Sequence, residues 1–324
     1  MEIMCLSTIQ TLHKIRKSSG SFLFCQESNI LLANNTQGGF YMEDINWNDK
    51  EEVLKLVQQD GTALEYASEE VSNNKEVVLN AVQQDGWALE YASEKLRNDK
   101  DVVIAAVRQN GWALEYASEK LRNDKDIVMT AIQKNGCALQ FASDELCNNK
   151  TVVLNAVQRS GLALEFASER LRNDKDVVMT AVTQHGLAFS YASEELRNDR
   201  EVVLNVVQQS GGALEFASKK LRNDKDIVIT AVRKRGYALQ YASKKLRNDK
   251  EVVLNAVQQY GRALKFASEE LCNDKEVQKA AGLEPDIAQE PDKTDIDTVL
   301  GDARKWCHEH NDTPTAQPKL NIER

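Results

Sequence analysis

The chain has 324 residues, 42% of them hydrophobic and 28% charged, and carries a formal net charge of −9. That is the make-up of a folded water-soluble protein, and no apolar run approaches the ~18 to 20 residues of a membrane-spanning helix, so membrane insertion is not expected. Its six cysteines, at positions 5, 25, 137, 147, 272 and 307, form no close pair at metal-ligand spacing, which points to free thiols in a reducing, cytoplasmic setting.

In chain order, residues 1–47 read as an N-terminal extension ending in a degenerate cap. Phe22, Leu23, Phe24, Ile30, Leu31, Phe40, Ile45 and Trp47 are scattered there without a repeated motif. Glu2 and the lack of a short apolar core before a small-residue cleavage site speak against secretion, and Lys14, Arg16 and Lys17 among serines give only a weak likeness to a transit peptide.

From residue 48 to 282 one pattern dominates. Nine glycines, Gly61, Gly86, Gly111, Gly136, Gly161, Gly186, Gly211, Gly236 and Gly261, stand 25 residues apart in near-copies of one segment. A fixed period of this length predicts an all-α, α/α solenoid of about nine two-helix repeats with degenerate terminal caps, in which each unit covers its neighbour's apolar face. In the unit spanning residues 98–122, Asn98 or Asp99 caps a first helix whose Val102, Val103, Ile104, Ala106 and Val107 are apolar on almost every side. Gly111 is expected to end that helix in the left-handed conformation. A second helix is expected to follow, with Leu114, Ala117, Ser118 and Leu121 on one face and Tyr116 filling the gap between units. The serines read as small residues at helix contacts, since no base accompanies them as nucleophiles. Alternation at Asn155, Thr180, Asn205, Thr230 and Asn255 implies that the duplicated unit was a 50-residue pair. After Asn273 the sequence DKEVQKAAG starts a tenth first helix and then loses the pattern at Gln278 and Lys279, as a polar capping turn does.

Residues 283–324 form an acidic tail that holds all four prolines of the chain. Between 284 and 302, seven acids face Lys293 alone, and Ile296, Val299, Leu300, Ala303 and Trp306 keep helical spacing. This segment is expected to make an intramolecular contact with basic repeats.

The motif G-x-A-L-x-[YF]-A-S-x-x-L-R-N-D-[KR]-[DE]-V-V, over residues 48 to 276, resembles the repeat family called domain of unknown function 4116. Departures are local: Cys147, Cys272 and Ser72 replace the usual arginine. The resemblance implies a tandem helical protein of the kind found in amoeba-associated bacteria and unicellular eukaryotes, sometimes in proteins thought to act in host cells. It brings no catalytic residues.

Function is sought where the frame varies. Trp87 and Trp112, each after a repeat glycine, are candidates for an aromatic ridge, although packing on their own helix is the stronger reading. Between Lys219 and Lys265 thirteen basic residues face four acids, +9 in a chain of −9, so the candidate partner-binding residues are Lys219, Lys220, Arg233, Lys234, Arg235, Lys244 and Lys245. A surface of this sign attracts an acidic protein. The lack of interleaved exposed aromatics argues against nucleic acid. No acid–base pair recurs, no phosphate-cradling glycine loop is present, and Cys307, His308 and His310 lack a fourth ligand, so no catalytic residue, metal or cofactor is expected. The sequence therefore reads as a non-catalytic, monomeric scaffold for an unknown protein, with a regulatory or toxin-like effector active through its terminal extensions as the alternative.

Overall fold

A computed structural model describes residues 45–282, and among these every regular element is helical. Each 25-residue unit opens with a long α-helix, of which Lys100–Gln109 is representative. Asp99 is its N-cap, its carboxylate accepting from the backbone N–H groups of Asp101 and Val102, so two of the free amides that every helix start leaves over are satisfied. Val102, Val103, Ala106 and Val107 are fully buried and Ile104 is half-buried. The helix is sandwiched between its neighbours, as its apolar circumference requires.

The second helix of the unit is divided. Gly111–Tyr116 is a 3-10 helix, Ala117 and Ser118 are extended, and Glu119–Arg122 is a single α-helical turn. Ser118 makes the division: its Oγ accepts from the Leu121 N–H as an N-cap, while its own N–H leaves the unit to donate to Arg97 O at 2.9 Å. Ala113, Leu114, Ala117 and Leu121 nevertheless all reach the core. The one-face pattern thus survives the break.

The glycines serve a different purpose from the expected one. Among the described residues only Gly282 has a positive φ, of 72°. At Gly111 a Cβ would fall 2.5 Å from the carbonyl oxygen of Ala131, on the long helix of the next unit. The residue is glycine because two backbones touch there.

The same three-element unit recurs from Lys50–Val57 to Glu269–Cys272, and a tenth long helix, Lys275–Ala280, follows. The tenth helix buries Val277, and Gln278 Nε2 donates to Cys272 O at 2.9 Å. At the other end Trp47 packs on Tyr66 at 5.2 Å between ring centroids. The rest of the N-terminal extension and the acidic tail, with the contact expected of it, lie outside the described residues.

Candidate interaction surface

Up to three bonds join each unit to the next, and they consume most of the polar residues that recur. The first is the serine N–H, given to the carbonyl 21 residues earlier, as from Ser243 to Arg222 O. The second is the serine hydroxyl, which donates to the asparagine 20 residues earlier: Ser118 to Asn98 at 2.7 Å, Ser218 to Asn198 at 2.7 Å, Ser243 to Asn223 at 2.6 Å. The third is an ion pair from the first residue of a long helix to the N-cap aspartate of the next, made by Lys75, Lys100, Lys150, Lys175, Arg200, Lys225 and Lys250, while Lys50 reaches Glu76 instead. Lys100 reaches Asp124 at 2.7 Å, Lys175 reaches Asp199 at 2.8 Å, and Lys225 reaches Asp249 at 2.7 Å and Glu251 at 2.9 Å. The bond from Lys100 holds the Asp124 carboxyl below the usual carboxylate range, with help from the backbone N–H groups it caps.

This ladder sorts the basic stretch. Asp224 and Asp226 are bound by Arg200, and Asp249 and Glu251 by Lys225, so all four acids between residues 219 and 265 are spent on the frame. Of the cations, Lys225 and Lys250 are absorbed the same way. The seven candidate cations stand outside the ladder in two places. Lys219, Lys220, Lys244 and Lys245 are exposed on the short segments that lead into the long helices Lys225–Lys234 and Lys250–Gln259. Arg233, Lys234 and Arg235 are exposed at the far end of Lys225–Lys234, about 15 Å along that ten-residue helix. Arg233 Nε donates to Asn255 Oδ1 at 2.7 Å, and the Arg235 guanidinium lies 4.6 Å from the Tyr237 ring centroid. The seven basic candidates therefore form two clusters at opposite ends of the long helices.

Arg222 and Arg247 join the first cluster, since they stand on the same short segments in two copies of Lys-Lys-Leu-Arg. They belong to a column with Arg97, Arg122, Arg172 and Arg197, each half-buried with its Nε out of reach of water and without a hydrogen-bond partner. Where cysteine replaces the arginine, the thiol lies against the carbonyl end of the 3-10 helix: Cys147 Sγ is 3.4 Å from Leu139 O, and burial, followed by the Asp144 charge, pushes it up to about 11. That thiol is protonated and unreactive at neutral pH.

The tryptophans take the structural role. Trp87 packs edge-on against Tyr116 and Trp112 against Phe141, with centroids 5.9 and 5.8 Å apart. Both are half-buried and belong to the second and third units, remote along the chain from the basic clusters. They fill gaps between units, the task expected of Tyr116 and its equivalents. Among the described residues no group of three or more His, Cys, Asp or Glu is arranged to hold a metal ion, and no helix is long and apolar enough to cross a membrane.

The sequence signals for the frame were the 20-, 21- and 24-residue offsets linking Ser to Asn, Ser to Arg and Lys to Asp across successive copies. Their regularity defines a tandem α-helical repeat protein whose copies are bonded in register. The chain belongs to the family described as Domain of unknown function (DUF4116), whose model matches residues 49–97, 99–147, 149–197, 199–247 and 249–281. Each full match spans two structural units, as the alternating 50-residue pattern implies. No curated protein and no solved structure matches the chain.

Proposed function

We propose that this repeat array is a non-catalytic scaffold that binds an acidic protein through its basic seventh and eighth units, as a single chain in the cytoplasm of its own cell or of a host. One observation carries the reading: between residues 219 and 265 every acid is engaged in the inter-unit ladder, while Lys219, Lys220, Lys244 and Lys245 are exposed and enter no ion pair among the described residues. Cations placed so add nothing to the frame. Their field reaches about one Debye length, ~8 to 10 Å at physiological salt, and favours an anionic macromolecule over other surfaces. The serines and asparagines that recur are occupied in bonds between units, which supports a structural use for them over chemistry.

The test is affinity capture with the full chain and with a fourfold charge-reversed variant, Lys219→Glu, Lys220→Glu, Lys244→Glu and Lys245→Glu, followed by mass spectrometry. Acidic proteins retained by the first and lost by the second are expected. Recovery of the same proteins on both would overturn the assignment to these units.

A further inference from the structure

The geometry points to the short-segment edge of units seven and eight as a docking site for a short acidic peptide strand of about six residues, a conclusion that rests on the scaffold reading above and gives it a partner of defined size. Six cations gather there, Lys219, Lys220 and Arg222 on one rung and Lys244, Lys245 and Arg247 on the next, the rungs being tied by Ser243 to Asn223 and to Arg222 O.

The first argument is that these lysines stand where local physics prefers acids. The short helix begins with Glu or Asp in the other seven units, at Glu69, Glu94, Glu119, Asp144, Glu169, Glu194 and Glu269. There a carboxylate suits the unpaired N–H groups of a helix start and a cation does not. In unit seven the segment is reduced to the 3-10 turn Leu221–Asn223. Residues that break a local rule without serving the frame mark a site of function.

The second argument is that the lysines are untethered among the described residues. At the second position of the short helix, Arg170 donates to Asn148 at 2.9 Å and Glu195 accepts from Asn173 at 2.6 Å, each held down on the preceding unit. Lys220 and Lys245 occupy the same position and, like Lys95 and Lys120, make no such bond. Their ammonium groups are available to an incoming carboxylate.

The third argument sets the size. The basic rungs are bounded by exposed Glu194 and Glu195 on one side and by exposed Glu269 and Glu270 on the other. With helices packed ~8 to 10 Å apart, two rungs cover about 20 Å. That equals roughly six residues of extended chain at ~3.3 Å each. A duplex or a bilayer would lay negative charge across the glutamate rungs as well, where like charges repel. A short strand fits between them.

Fluorescence anisotropy on the full chain at about 0.15 M ionic strength, where the Debye length is ~8 Å, with fluorescein-labelled glutamate peptides of four, six and twelve residues, tests this. Affinity is expected to rise from four to six residues and then level off. Lys244→Glu with Lys245→Glu should weaken the six-residue peptide about tenfold or more, from the sum of several exposed ion pairs. Arg233→Glu with Lys234→Glu, the same change of charge at the opposite end, should leave it within about twofold of wild type, the distance exceeding a Debye length. Glu194→Lys with Glu195→Lys should let the twelve-residue peptide gain. Equal weakening by the two reversals would overturn the edge assignment, as would tighter binding of duplex DNA or of phosphatidylserine vesicles than of the six-residue peptide. Charge-dependent partner capture would still stand in that event, so the two readings fail separately.

Discussion

The junction between units three and four and the junction between units six and seven are built from the same motif, yet they close differently. At the first, Gly111 lies flat on the Ala131 carbonyl and Trp112 is half-buried. At the second, the atoms nearest a Cβ on Gly186 belong to the Ser210 side chain, Gly186 is only half-buried, and Leu187 is 42% exposed. The sequence difference beneath is Val206, fully buried, where the other long helices after the first place alanine, as at Ala131 and Ala231. Two added methyls hold the 3-10 turn away from the helix it should touch. Backbone proximity, more than side-chain volume, is what makes a regular junction.

The largest effect expected from this contrast is at Gly111. Gly111→Ala would force a methyl against a backbone oxygen that has no room to withdraw, at about 2 to 3 kcal/mol, the upper range for overpacking a rigid contact. Gly212→Ala is the control, because its Cβ would first meet the far end of a flexible side chain, Tyr237 Oη at 3.1 Å, and the loss of unfolded-state freedom offsets the small adjustment. Hydrogen exchange resolved by unit is the measurement, since long arrays need not unfold in one step. Loss of protection in units three and four for the first variant, and none in unit seven for the second, is expected.

Exchanging the alanine and valine sharpens the comparison further. Ala156→Val, at the residue whose carbonyl lies 2.5 Å from a Cβ on Gly136, should reproduce the open junction, costing about 1 to 2 kcal/mol and exposing Cys137, which is 6% exposed in the native chain, to thiol reagents. Val206→Ala should cost less than about 1 kcal/mol, at the low end for removing buried methyls, because the turn over Gly186 can then close. A cost at Val206 as large as an ordinary core truncation would show that the methyls are not what keeps that turn away.

The third effect concerns the bonds common to both junctions. Ser118→Ala removes an N-cap and the hydroxyl given to Asn98 together. About 1 kcal/mol is expected, within the usual range for cap removal, and it should appear in a denaturant midpoint.

The stack itself was readable from the glycine period, because covering an apolar helix twenty-five residues at a time leaves few other solutions. The purpose of the glycine was not. A glycine after a helix looks the same in sequence whether it turns left-handed or admits a neighbouring carbonyl 20 residues on, and only the packed pair distinguishes them. Ser118 was read as a contact residue because its alanine neighbour and Leu121 suit a continuous helical face. The break comes from hydrogen bonds to the preceding unit, which local propensity does not record. The basic stretch was legible as a sum of charge. Its division into two clusters was not, since that depends on a ten-residue helix separating Lys220 from Lys234 and on Lys225 and Lys250 finding acids one unit away.

The smallest expected effect lies at a gap in the ladder. From Lys50 to Lys250, the first residue of each long helix has an ion pair except Lys125, which faces Asn149 and Thr151 in place of the acids met elsewhere. Asn149 still caps its helix, accepting from the Thr151 and Val152 N–H groups, so Asn149→Asp should keep the cap and add the missing pair. A gain of about 0.2 to 1 kcal/mol, the range for exposed pairs, is expected at low salt and none near 1 M. The sign with pH follows from Asp124 and Asp199, whose carboxyls are held below the ordinary value first of all by bonds from Lys100 and Lys175. Such a group stabilises the folded chain above about pH 4, and the contribution disappears as pH falls through the lowered folded value. The advantage of Asn149→Asp over wild type, measured as a difference in denaturant midpoint, should therefore be level from pH 6 to 8 and decline once pH falls below about 4. An advantage that persisted in acid or in high salt would mean that the substituted residue acts through its cap alone, and the ladder would then be a consequence of the stacking instead of a contributor to it.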